Sequence, residues 1–161
     1  MALSHGTLKN ELQKGFKRPT PSARDAAQII SLAFDNYIKR AMNSGQQSYI
    51  SCGGISTLRS ALEKTFKSQL SSKSQVAQEI SSAFNTCVKT LLTLYQHGPP
   101  DTSVSFVGFK QKNQKLFNSL TPSPDMFALE FALNIHAFVT KTIVSGAIPS
   151  SPPIPFSGPL T

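Results

Sequence analysis

The sequence predicts an all-α protein: three tandem helical-hairpin repeats packed as a compact six-helix bundle, with an extended Pro-rich C-terminal arm. Internal self-similarity, apolar residues spaced three and four apart, and a change of composition after residue 146 lead to that reading. Leu12, Lys14, Phe16 and Lys17 recur fifty residues later as Leu62, Lys64, Phe66 and Lys67. At the same offset of 50, Ala27, Gln28, Ile30, Ser31, Ala33, Phe34 and Lys39 recur as Ala77, Gln78, Ile80, Ser81, Ala83, Phe84 and Lys89. At an offset of 101, Lys115, Phe117 and Ala128 fall on Lys14, Phe16 and Ala27, and Ser123 falls on Ser22. The expected domain is therefore 1–146, divided into copies 1–50, 51–100 and 101–146, followed by an arm at 147–161.

Each copy reads as a shorter helix and then a longer one. The first helices are expected at 7–16, 55–70 and 109–120, with 104–109 alternating enough to form a short extended segment ahead of the third. The second helices are expected at about 23–43, 75–96 and 125–144, where the apolar stripe is clean. Phe34, Phe84 and Ile135 lie on that stripe and should be buried. Ser22 with Asp25 three residues on resembles a capping box, and Ser123 precedes a proline at the first helical position. Gly45, Gly98 and Gly146 fall where helices would end in a left-handed residue. A single two-helix unit cannot bury its own stripe. Three units can share one core as a bundle, which is preferred to a short solenoid because no polar capping unit is visible.

The arm carries five prolines between Pro149 and Thr161, which disfavour helix and favour an extended path. It also holds Ile148, Ile154, Phe156 and Leu160, more apolar than a solubilising tail needs, so it is expected to anchor on a neighbouring subunit.

Charge is uneven. The net charge is +8, and residues 1–67 hold ten of the sixteen Lys and Arg against four of the eight acids, whereas nothing beyond Lys141 is charged. Lys14, Lys17, Arg18 and Arg24 crowd the first hairpin turn, and Lys64 and Lys67 recur in the second, a pattern suited to acidic side chains or phosphate as well as to a solvated face. No recognition-helix signature argues for base-specific readout. No stretch has the length and apolarity of a membrane span, and the first residues lack the features of a signal peptide, so cytoplasmic synthesis is expected and no membrane partner. Cys87 reads as a core residue and Cys52 as a loop residue, both reduced. A disulfide between them requires the fold to bring them together.

Chemistry-bearing patterns are sparse. His5, His97 and His136 have no sequence-near partner at metal-ligand spacing, and His136 is assigned to a polar helix face. Gly53-Gly54 lacks the rest of a phosphate loop, and no Gly-x-Ser-x-Gly elbow occurs. The expectation is a protein without catalytic residues, metal or cofactor.

The helical unit built on Ala-x-x-Ile-x-x-Ala-Phe at Ala27–Lys39 and Ala77–Lys89, and the run through Ile143, Val144, Ser145 and Gly146 into a Pro-rich end, resemble small structural proteins of tailed-bacteriophage virions. The resemblance is one of style and carries over no functional residues. It implies a structural subunit of the neck, tail or baseplate, located in the virion after synthesis in the host cytoplasm, with other structural proteins of the particle as partners. The alternatives are a basic helical adaptor that binds nucleic acid non-specifically and a small helical adaptor of host regulation.

Overall fold

The computed structural model describes residues 3–17, 22–68, 72–93, 97–119 and 123–161. Among these, six helices and four short strands follow in the order α1 (His5–Phe16), α2 (Ala23–Ile38), β1 (Tyr49–Cys52), α3 (Ile55–Lys67), α4 (Lys73–Val88), β2 (Leu91–Thr93), α5 (Ser103–Asn118), α6 (Pro124–Val139), β3 (Ile143–Ile148) and β4 (Ile154–Pro159). The protein is thus mostly helical, not all-α. Two small antiparallel sheets, β1–β2 and β3–β4, accompany the helices.

The second helix of each pair starts on a serine. Ser22, Ser72 and Ser123 accept hydrogen bonds from the backbone N–H of Asp25, Gln75 and Met126, satisfying donors the first turn leaves free. At Ser22 the box is complete, since the Asp25 carboxylate also accepts from the Ser22 N–H. The expected long ends of these helices need correction. They stop at Ile38, Val88 and Val139, each followed by a right-handed cap residue, Lys39, Lys89 or Thr140. No described glycine has a positive φ, so Gly45, Gly98 and Gly146 do not end helices in the left-handed region. The chain instead leaves each helix through a tight turn, as in Ala41 N–H to Ile38 C=O and Thr142 N–H to Val139 C=O, and becomes extended.

The extended segment expected at 104–109 is helical. Asp101 accepts from the Ser103 N–H and helps start α5. The buried side of α5 carries Ser105, Phe109, Asn113 and Leu116, two of them polar, while Val104 and Val107 face solvent at 81% and 58% exposure. Polar residues inside and β-branched residues outside conceal the helical period.

Each helix packs chiefly on the helices before and after it, and α6 packs on α1, so the six close into a ring. Phe84 lies at the centre, with ring centroids 5.0 Å from Phe34, 5.8 Å from Phe131 and 6.0 Å from Phe109, all edge to face. Edge-on contacts suit the quadrupoles of aromatic rings. Phe34, Phe84 and Ile135 are fully buried, as the stripe predicts. Gly15 permits the closest approach of α1 to α2, because a Cβ there would lie 2.2 Å from the Ile29 side chain.

A second cycle, made of backbone, accompanies the ring. The segment after α2 pairs through β1 with β2, the segment after α4 pairs at His97 with Gly146 and at Asp101 with Ile143, and the segment after α6 returns to the first. That return is the last link: Met42 and Thr161 exchange backbone hydrogen bonds of 2.8 and 2.9 Å, and the Leu160 N–H reaches the Thr142 carbonyl. The extended arm is therefore corrected to a β-hairpin folded onto its own bundle. β3 begins at Ile143, inside the span 125–144 expected for the last helix, and β4 pairs with it from Ile154 to Pro159. In a two-stranded ribbon each strand has a free edge, so the prolines cost few ladder bonds.

Candidate interaction surface

The three helical pairs α1/α2, α3/α4 and α5/α6 each enclose an open groove. The first, about 400 Å³, runs past Lys14, Gly15, Ile29 and Leu32. The second, about 370 Å³, is floored by Leu58, Ala61 and Ala83 and reaches Gly54 and Cys87. The third, about 670 Å³, has Leu116, Met126, Leu133 and Ala137 along it. Each has a lysine on its wall: Lys14, Lys64 and Lys115, in the last turns of α1, α3 and α5. A cation there complements the negative end of its helix, which gives these lysines a structural role whether or not they meet a partner. Acids flank them too: Glu11 and Asp25, Glu79, and Glu130.

The other basic residues separate. Lys17 reaches Asp125 at 3.5 Å across the α1–α6 contact, and Lys67 pairs with Glu63 at 2.5 Å along α3. Arg24 is exposed in the first turn of α2, where a cation opposes the helix dipole. Arg18 lies outside the described residues.

The apolar residues of the C-terminal segment separate as well. Leu160 is 1% exposed and belongs to the bundle core. Phe156 packs against that core, its ring over Gly45 and Gly146. Ile148 is half-buried, and Ile154 is exposed at 55%. The expectation that all four anchor on a neighbour fails for Leu160 and Phe156. The segment before β1 offers backbone that pairs with Thr161, and burying Leu160 there requires no second molecule.

Titratable groups gather mainly where α6 meets α1 and α2. The Tyr37 hydroxyl and His136 Nδ1 share a 2.8 Å hydrogen bond, and the His5 and His136 rings lie 5.5 Å apart. Burial pushes Tyr37 above the usual phenol range, while burial and the nearby His5 hold His136 below 6.5. His136 is thus half-buried in a helix contact and not on an open polar face. Asp101 is held below the usual carboxylate range by the Ser103 N–H, the result of its place at the start of α5. Cys52 is corrected from loop to buried strand, 2% exposed in β1, and Cys87 is buried in α4. Among the described residues no three His, Cys, Asp or Glu side chains group to hold a metal ion, and no helix is long and apolar enough to cross a membrane.

The sequence reading missed the groove residues Ile29, Leu32, Met126 and Leu133, because a large apolar residue on a helix reads as core. Leu32, Met126 and Leu133 are 42%, 59% and 37% exposed. Compared with known proteins, the chain matches no family model, no curated protein and no solved structure.

Proposed function

We propose that this chain is a non-enzymatic assembly subunit built from three tandem copies of one helical hairpin, docking through its three lysine-edged grooves onto other structural proteins of a large complex. The observation that supports the reading best is the recurrence of one arrangement, an open groove with a lysine in the last turn of its first helix, in all three pairs of a closed ring. Lys14, Lys64 and Lys115 stand at the offsets 50 and 101 of the sequence matches. Such a subunit offers three similar contacts to a partner of three- or six-fold symmetry. The kind of assembly is the one the sequence resembles, a tailed-phage virion, with the neck, tail or baseplate as location.

The test is incorporation. The native protein should co-purify with a large symmetric particle. Lys14→Glu, Lys64→Glu and Lys115→Glu combined should reduce incorporation at least tenfold with an unchanged far-ultraviolet circular dichroism spectrum. Normal incorporation of the folded triple variant would remove the grooves from the interface. The net charge of +8 keeps one other reading in view, a nucleic-acid adaptor. Steeply salt-dependent retention on non-specific DNA, lost in the triple variant, would favour it.

A further inference from the structure

The turn that joins β1 to α3 lies directly on the end of α4. The Gly53 N–H donates to the Thr90 carbonyl at 2.9 Å, and the Gly54 N–H donates to Thr90 Oγ1 at 2.8 Å. Gly54 fits closely against Thr90, since a Cβ there would stand 2.9 Å from Thr90 Oγ1. This close approach brings two cysteines distant in sequence onto one spot. The Cys52 thiol donates to the backbone carbonyl of Cys87 and lies 3.5 Å from Thr90 Oγ1. Both cysteines are free thiols.

Both cysteines are buried, but the groove between α3 and α4 reaches Gly54, Thr86 and Cys87, so a small molecule in it meets the wall that carries Cys87. The hairpin pattern does not explain the residue at 87. The positions offset from it by 50 and 51, Tyr37 and Phe138, hold large aromatic rings that are themselves buried. A cysteine in their place is smaller and brings a sulfur to the side of a groove.

We propose that Cys52 and Cys87 form a thiol–disulfide site, oxidised by a small-molecule disulfide that enters through the α3–α4 groove. One thiol loses its proton, and its sulfur displaces half of the small disulfide as a free thiol, leaving a mixed disulfide on the protein. The second protein thiol, losing its proton to water, displaces the other half. One S–S bond forms between Cys52 and Cys87, the S–S bond of the reagent breaks, and its two sulfurs leave as two thiols. Two electrons pass from the protein to the reagent. Hydrogen bonding with the Cys87 side chain holds the Cys52 thiol below its usual range against the opposing effect of burial, and the same pairing raises Cys87. The product would join β1 to α4 covalently across the groove's end.

Oxidised glutathione is the probe, applied to the folded, reduced full-length chain and, in parallel, to the chain in denaturant. The native sample should lose two hydrogen atoms in intact mass, yield a peptide cross-linked between Cys52 and Cys87, remain unchanged in size on gel filtration and gain in unfolding midpoint temperature. Cys52→Ser and Cys87→Ser should each abolish the cross-link and retain glutathione on the remaining thiol. The proposal is overturned if both thiols stay free in the folded chain while reacting in denaturant. It is equally overturned if glutathione adds to each without a cross-link, or if the disulfide forms between two chains.

Discussion

Between its three helical pairs the ring has two joints that the chain itself crosses, α2 to α3 and α4 to α5, and one that it does not, α6 to α1. The crossed joints are held by hydroxyl and amide bonds at repeated offsets. Asp35 accepts from Ser51 Oγ at 3.0 Å, and Asn85, fifty residues on, accepts from Thr102 Oγ1 at 2.6 Å. Ser31 accepts from Arg59 Nε at 3.2 Å, and Ser81 accepts from Asn113 Nδ2 at 3.0 Å. At the closing joint the corresponding residues are His136 and Ala132, and different contacts take over: the His5–His136 ring pair, the edge-on Phe16–Phe127 pair at 6.0 Å and the exposed Lys17–Asp125 ion pair. The physical difference is connectivity. A joint spanned by a short linker forms at high effective concentration, whereas the closing joint brings together elements more than a hundred residues apart and carries a larger loop-closure cost. Residues 160–161 offset part of that cost by pairing with Met42 and burying Leu160 beside the closure.

Three measurements break or sharpen this comparison. The largest effect is expected at the closing side. Leu160→Ala removes a side chain 1% exposed in the core and should destabilise the fold by about 2–5 kcal/mol in urea unfolding. A loss under about 1 kcal/mol would mean that the C-terminal hairpin is dispensable for closure. A smaller effect belongs to a crossed joint. Asn113 is fully buried, donates to Ser81 and accepts from Asn134 Nδ2 at 3.0 Å, so Asn113→Ala leaves buried partners unsatisfied and should cost about 1–3 kcal/mol. Ser31→Ala, which releases the half-buried Arg59 and removes the hydroxyl's bond to the Gln28 carbonyl, should cost less than Asn113→Ala, and the reverse order would contradict the account of these joints.

The smallest effect is titratable and confined to the closing joint. A neutral His136 ring can accept from the Tyr37 hydroxyl, whereas a protonated ring cannot and also meets His5. Because the folded state holds His136 below its ordinary 6.5, the unfolded chain binds more protons in that window. Its contribution is therefore complete above about pH 6.5 and is lost as pH falls through the lower folded value. The unfolding midpoint should drop on acidification from pH 7.5 to 5, and His136→Gln should flatten that drop while leaving the response to Asn113→Ala unchanged. An identical pH profile in the variant would show that the histidine pair does not govern the joint.

Much of this was legible without coordinates, for particular reasons. Helix caps at Ser22 and Ser123 are local, set by a side chain and the next three residues, and Ser72 could have been found by the same offset of 50. The burial of Phe34, Phe84 and Ile135 follows from an apolar stripe that must be covered wherever its partner comes from. The lysines of the first helices were likewise visible as a recurrence. That Lys14, Lys64 and Lys115 border grooves was not, because a groove is the space between two helices and neither helix encodes it alone.

The sequence by itself determined where most helices begin, which faces they bury and that hairpins follow one another, since these depend on neighbours within a few residues. Only the tertiary structure decided how the ring closes. Prolines between 149 and 159 signal extended backbone but not that it folds back on Ile143–Ile148, nor that Thr161 beyond them pairs with Met42, more than a hundred residues away. Only the fold, too, brought Cys52 to Cys87, through a glycine turn whose spacing says nothing of what it rests on. Local order is set by local side chains, whereas long-range pairing is chosen by the surfaces left uncovered once that order has formed.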